Sequence, residues 1–379
     1  MSIKYFQIAL RLLTCIFCCV ILSSNVSRAQ AVDYKKVSST LNELAKKDKF
    51  SGVVLIAENG KVKFEQAFGN LDNEKQLPNK TNTIFELASV SKQFTAMTIM
   101  MLQEKGLLNY DDLVEQYINI PYKGITIRQL LTHTSGLPDY QNIMDQHWDK
   151  TKVANNIDII EYLNKFAPPA SFAPGTKYEY SNTGFVILAS ITEKVSGRDF
   201  IEFCNTEIFE KLNMKHTAIR TLVQKATTPN FALGYMFVPE RNKYLRADSF
   251  PSSNYTIWLG NRKGPGRISA TVQDLLKWDQ ALYGQSLISN KTLQEAYTPM
   301  TLNNGAISNY GFGWDLIPNA PNGKIVWHNG DNPGYKTLIM RFVDQKRTLI
   351  ILCNNATAEF VNLTNALRTA VAGEADTKK

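Results

Sequence analysis

Ser89 and Lys92 stand three residues apart in Phe85-Glu86-Leu87-Ala88-Ser89-Val90-Ser91-Lys92-Gln93-Phe94, where an apolar helical pattern begins. Residues i and i+3 share one face of a helix, so hydroxyl and amine can meet on its first turn. A serine hydroxyl is a weak nucleophile until a base takes its proton. A lysine amine kept from water has its pKa lowered and can be that base. The helix start adds free N–H groups and a positive dipole end, which suit a developing oxyanion. The chemistry that follows is acyl transfer through a serine. Ser-x-x-Lys alone also fits a capped helix with an unrelated surface lysine, so specificity must come from elsewhere in the chain.

Tyr-x-Asn occurs four times, beginning at Tyr117, Tyr140, Tyr162 and Tyr180. Tyr117 and Tyr162 fall inside helical patterns and read as packing residues. Tyr180 follows the Pro174-Gly175 turn and directly precedes a helix, a place where a rigid scaffold presents an exposed side chain. A phenol near an ammonium has its pKa lowered and can shuttle a proton. Asn182 offers an amide to orient Lys92 or a substrate. His328-Asn329-Gly330 ends a strand-like run, and its glycine permits close approach by a substrate. His133, in the turn His133-Thr134-Ser135-Gly136-Leu137-Pro138, reads as structural, its ring bonding backbone groups.

These side chains need a frame. Val53-Val54-Leu55-Ile56-Ala57 reads as a buried strand, Asn59-Gly60 as a two-residue turn, and Val62, Phe64 and Phe68 as a second strand. Phe94, Met97, Met101 and Leu102 set a helical stripe that Gly106 stops. Helical patterns follow at 111–117, 127–131 behind a Thr126 cap, 156–166, 183–195 and 199–212. The stretch 213–263 is aromatic and irregular and carries no assignable pattern. Thr271 and Asp274 predict a capping box before Leu275, Leu276, Trp278 and Leu282. Strand patterns return at 325–327, 337–343 and 348–352, and Phe360, Leu363, Leu367 and Val371 predict a closing helix. Strands, helices, strands and helix in that order predict an α+β fold. Its antiparallel sheet is formed from both termini and flanked by helices, with a mostly helical insertion at roughly 107–263.

The 379 residues are 44% hydrophobic and 20% charged, an ordinary globular composition. Residues 1–29 read as a secretory signal: Lys4 and Arg11, an apolar core from Leu12 to Leu22, then Ser27 and Ala29 at a cleavage site. The other possibility is an uncleaved anchor. Export predicts a periplasmic or secreted protein, whose folded domain is 30–379 and holds no stable membrane span. The net charge of +8 includes three basic leader residues and no acid there, which leaves +5 spread without a basic run. That excludes a nucleic-acid footprint. Cys204 and Cys353 remain after the leader and read as buried free thiols, not a framework. After the leader no C-x-x-C or H-E-x-x-H occurs, so no metal or other cofactor is expected. Nothing in the sequence fixes an oligomeric state.

Ser89-Val90-Ser91-Lys92, Tyr180-Ser181-Asn182 and His328-Asn329-Gly330 follow one another in the order and wide spacing of the penicillin-recognising serine hydrolases. The chain resembles their class C β-lactamase and D-Ala-D-Ala carboxypeptidase branch, from residue 50 to about 371. His133 to Pro138 and Gly266 to Asp274 look like that family's supporting segments. The resemblance implies a β-lactamase/transpeptidase-like fold. It makes Ser89 the nucleophile, Lys92 and Tyr180 its proton-transfer partners, and Asn182, His328, Asn329, Gly330 and Asp331 a substrate-binding set. The backbone N–H groups of Ser89 and Asp331 would form the oxyanion hole. Which of Lys92 and Tyr180 is the base stays open.

The third motif departs from the Lys-Thr-Gly or Lys-Ser-Gly of β-lactamases in this group. Histidine carries only partial charge at neutral pH, and the hydroxyl that helps bind a β-lactam carboxylate is absent. The implied activity is therefore hydrolysis of D-amino-acid peptides or related amides. A carboxylesterase or weak β-lactamase on the same scaffold is the alternative, and a non-catalytic binder of cell-wall fragments the rival from another class.

Overall fold

The computed structural model describes residues 31–251 and 254–373. The leader, with its cleavage site and three cysteines, lies outside the described residues.

A six-stranded antiparallel sheet carries the fold. Its strands are β1 (Gly52–Glu58), β2 (Lys61–Phe68), β3 (Asp315–Ile317), β4 (Ile325–Asn332), β5 (Tyr335–Phe342) and β6 (Arg347–Cys353), in the order β3-β4-β5-β6-β1-β2. The two ends of the chain meet at the centre, where Gly52 pairs with Cys353 and Glu58 with Arg347. The sheet from both termini is thus as the element order predicts. Asn59 (φ 50) and Gly60 (φ 73) both take the left-handed conformation, which a two-residue hairpin turn with the right twist requires. His328-Asn329-Gly330 does not end its strand, because β4 runs on to Asn332 and pairs with β5 throughout.

Alternation along the central strands divides two cores. Val53, Leu55, Ile350 and Leu352 face the helical layer, with Phe94, Phe185 and Trp278. Val54, Ile56, Leu349 and Ile351 face the other side, under helices α1 (Tyr34–Lys46) and α5 (Phe360–Ala372). The predicted closing helix is α5; α1 is an addition the sequence did not announce.

The helical layer centres on α2 (Lys92–Glu104) and α3 (Asn182–Ser196). Of α2, every residue from Lys92 to Leu102 is buried. Each large apolar side chain so enclosed contributes about 1.5–3 kcal/mol. Ser181 caps α3, its hydroxyl accepting from Gly184 N, and Gly197 (φ 68) ends it.

Three local expectations are corrected. The pattern at 111–117 yields only the short turn Val114–Gln116. The pattern at 199–212 is broken, with Phe200–Cys204 helical and Asn205–Phe209 a wider π turn; there Thr206 Oγ1 donates back to the Glu202 carbonyl at 3.1 Å. At helix α4 (Val272–Ala281), Thr271 accepts from Asp274 N, but the box stays half made. The Asp274 carboxylate instead accepts from His216 N at 2.7 Å and Thr217 Oγ1 at 3.0 Å. The unassigned 213–263 stretch folds as short pieces, including the hairpin Tyr235–Val238 and Lys243–Arg246.

Candidate active site

Ser89 sits in a tight 3-10 turn, Ala88–Ser91, that leads into α2. Ala88 before it has φ 48, a conformation that strains any residue with a side chain. Surrounding bonds fix this turn. Thr337 Oγ1 donates to the Leu87 carbonyl at 2.7 Å, Leu87 N donates to Ile268 O at 2.9 Å, and Ile268 N donates to Ser91 Oγ at 3.2 Å. A Cβ at Gly330 would lie 2.2 Å from both the Leu87 carbonyl oxygen and Thr337 Oγ1. The close approach expected there for a substrate is taken by the protein's own chain: Gly330 lets β4 press against the Ser89 turn.

Lys92 is fully buried and holds the centre. Its Nζ lies 3.0 Å from Ser89 Oγ, 2.8 Å from Asn182 Oδ1 and 3.0 Å from the Pro265 carbonyl oxygen. Burial, with Arg262 nearby, pushes its pKa well below that of a free lysine. A neutral amine has two N–H donors and one lone pair. Asn182 Oδ1 and the Pro265 carbonyl can only accept, so Nζ donates to both, and in its neutral form the amine would turn its lone pair to the Ser89 hydroxyl. The set places a buried amine within hydrogen-bond reach of a serine hydroxyl.

Tyr180 stands above this pair, its ring centroid 4.7 Å from Lys92 Nζ. The residue is 40% exposed, yet its hydroxyl end is sunk against Ser89. Burial raises the phenol above its ordinary value, and the hydrogen bond with Ser89 offsets only part of that. The expected lowering by a lysine ammonium is therefore corrected: burial is the largest influence on the phenol, and it raises it.

His328 is 1% exposed and its pKa is pushed down to about 3, first by burial and then by Lys92. Nδ1 donates to its neighbour Asn329 O at 2.5 Å, and Nε2 accepts from Tyr310 Oη at 2.8 Å. Partial charge at neutral pH is thus corrected too: the ring is neutral and both nitrogens are engaged. Asn329 and Asp331 are exposed on β4, and Asp331 pairs with Lys336 at 2.5 Å.

Two residues with no site role in the sequence reading join the cluster. The ring of His133 lies 4.2 Å from Tyr180 and 4.5 Å from Tyr310, and Ser181 N donates to its Nδ1 at 3.1 Å. His133 therefore braces the loop that carries Tyr180, as its turn suggested. Tyr310 orients His328 from a segment 18 residues upstream. No local pattern marks it, since its role exists only once β3 and β4 pair. Among the described residues no three His, Cys, Asp or Glu side chains gather as metal ligands, Cys204 and Cys353 are buried free thiols, and no helix is long and apolar enough to cross a membrane.

Residues 37–373 match the Beta-lactamase family as a whole. A penicillin-binding protein of Bacillus subtilis (strain 168) is 39% identical over 322 residues, 84% of this chain and 71% of that protein. A teichoic acid D-alanine hydrolase of Staphylococcus aureus (strain MRSA252) is 29% identical over 264 residues, 68% of this chain and 59% of that protein. The octameric penicillin-binding protein homologue of Pyrococcus abyssi superposes with a TM-score of 0.79 at 26% identity, covering 91% of this chain and 79% of that one. The chain belongs to the Beta-lactamase family and is a serine hydrolase with the β-lactamase/transpeptidase-like fold.

Proposed function

We propose that this member of the Beta-lactamase family is an exported hydrolase that forms an acyl-enzyme on Ser89 and acts on D-amino-acid peptides or related amides. The observation that supports it most is the buried Lys92 amine, 3.0 Å from Ser89 Oγ with its donors spent on Asn182 and Pro265. In this reading Lys92 takes the Ser89 proton as Oγ attacks the carbonyl. The N–H groups of Ser89 and Asp331 hold the oxyanion. Tyr180, which keeps its proton, delivers one to the leaving nitrogen as the C–N bond breaks, and recovers it through Lys92. Water then attacks the ester by the reverse route. Asn182 fixes Lys92 and faces the substrate amide, while Asn329 and Gly330 line the strand edge beside the acyl group.

The neutral, doubly engaged His328 favours a second reading alongside the first. It supplies no cation for a substrate carboxylate at the third motif, so simple esters should react as readily as peptides and penicillins poorly. The names of two relatives, a penicillin-binding protein and a D-alanine hydrolase, fit acyl donors of D-alanine type. The test is kcat/KM for an acylated D-Ala-D-Ala peptide, its L,L isomer, a short ester and a penicillin. The reading expects the D,D peptide to exceed the L,L isomer by tenfold or more. Preference for the L,L isomer would overturn it, and turnover of the ester alone would select the esterase.

A further inference from the structure

A cavity of about 560 Å³ is lined by chain neighbours of the site segments, though by none of Ser89, Lys92, Tyr180, Asn182 or residues 328–331 themselves. Glu86, just upstream of Ser89, and Arg267, two residues past the carbonyl that holds Lys92, form its floor with Tyr335. Arg267 is 1% exposed, and its backbone has φ 82, a strained conformation for any side chain. Its Nη1 donates to the Thr256 carbonyl at 3.1 Å, while Nε and Nη2 have no partner. A buried guanidinium with an open edge costs free energy unless something completes it.

Neighbouring charges add to the pull on an anion. Lys225 at the cavity wall pairs with Glu86, which also accepts from Asn332 Nδ2 at 3.4 Å. Arg262, 7% exposed and with Nε and Nη1 unpartnered, is within electrostatic reach of Glu86, Lys225 and Arg267. At floor and wall one carboxylate, Glu86, thus stands against two cations, Arg267 and Lys225, while Arg262 lines a separate cavity. At the rim, Lys75 pairs with Asp72 and Arg246 with Asp248, and Glu74 is exposed. The open edge of a guanidinium has the geometry for two-point binding of an oxyanion.

We propose that this cavity is an oxyanion subsite, in which Arg267 receives a carboxylate or phosphate carried on the leaving part of the substrate. The subsite rests on the acyl-enzyme reading for its link to catalysis, but not for its ability to bind an anion.

The test therefore has two arms. Calorimetric titration of the wild-type protein with inorganic phosphate and with acetate reads binding without any turnover. Saturable binding of at least one is expected, weakened tenfold or more in Arg267→Gln; if that variant does not fold, Lys225→Gln takes its place. Absence of saturable binding of either anion to wild type, or equal binding in a folded Arg267→Gln, overturns the subsite. The anion that binds identifies the source. The second arm compares kcat/KM for the D-alanyl ester of glycerol with that of glycerol phosphate, and for an acyl-D-Ala-D-Ala peptide with its C-terminal amide. The charged member of at least one pair should be preferred tenfold, and Arg267→Gln should erase that preference while leaving the neutral member unchanged. Equal rates within both pairs overturn the link to substrate. Anion binding with no hydrolysis of any of the four would instead sink the catalytic reading and leave the anion site standing.

Discussion

At the scale of single residues, two buried groups make opposite predictions with pH. In the proposed reading Lys92 is the base, a role open to it only when neutral, and burial lowers its pKa. The rate should therefore fall on the acid side, as Lys92 takes up a proton, and stay level towards alkaline pH. His328 titrates at about 3, so it should add no limb near the ordinary histidine value. A pH series of kcat/KM on a neutral ester checks this: the acid limb should persist in His328→Gln, and its disappearance would reassign it to the histidine. Asp315 is the other case. No described partner bonds its carboxyl, and burial pushes its pKa up to about 7 from 3.8. With the folded pKa above the unfolded one, the folded state binds more protons, and stability falls as pH rises from 3.8 to 7. Asp315→Asn removes that penalty. Its Tm gain over wild type should be clear at pH 8 and small at pH 4, and the reverse order would contradict the burial of this carboxyl.

At the scale of elements, the site depends on how β4 lies against the Ser89 turn. Gly330→Ala puts a Cβ 2.2 Å from two atoms, one of them the Leu87 backbone oxygen, which cannot swing aside. The strand must move. We expect kcat to fall by at least a hundredfold, since displacements near 1 Å cost that much, together with a loss of several degrees in Tm. Assay and melting curve of the variant check both, and unchanged activity would show that β4 does not set the turn.

Legibility followed distance along the chain. Ser89 and Lys92 could be read because one helical turn joins them, and the β1–β2 hairpin because Asn59-Gly60 encodes its own backbone. Tyr180 could be separated from three other Tyr-x-Asn tyrosines by its turn and helix start. Tyr310, Arg267 and the protonation states of Tyr180 and His328 could not be read. They arise from burial and from contacts between segments far apart in sequence, which no local pattern records. Asp274 failed as a cap for the same reason: His216, 58 residues away, offered it a better bond.

At the scale of the whole molecule, sheet and helical layer are tied by one fully buried ion pair. Arg341 on β5 donates from Nε to Asp279 on α4 at 2.6 Å, and both side chains are 0% exposed. Arg341 Nη1 also donates to Tyr297 Oη at 2.5 Å. Removing one member leaves the other charge buried alone, at a cost of about 3–5 kcal/mol. Arg341→Ala should therefore unfold at markedly lower denaturant, and Arg341→Ala with Asp279→Ala should recover part of the loss. Equal midpoints for wild type and Arg341→Ala would show the pair carries no such stress.

The proposed function turns on one covalent event, an acyl group on Ser89. Intact-mass measurement after incubation with a penicillin and, separately, with a short ester, followed by peptide mapping, tests it most directly. Wild type should gain the mass of one acyl group, on the peptide containing Ser89, with at least one reagent. Ser89→Ala should gain none and lose activity by several orders of magnitude. A stable adduct on another residue, or hydrolysis at near-normal rate by a folded Ser89→Ala, would contradict the account.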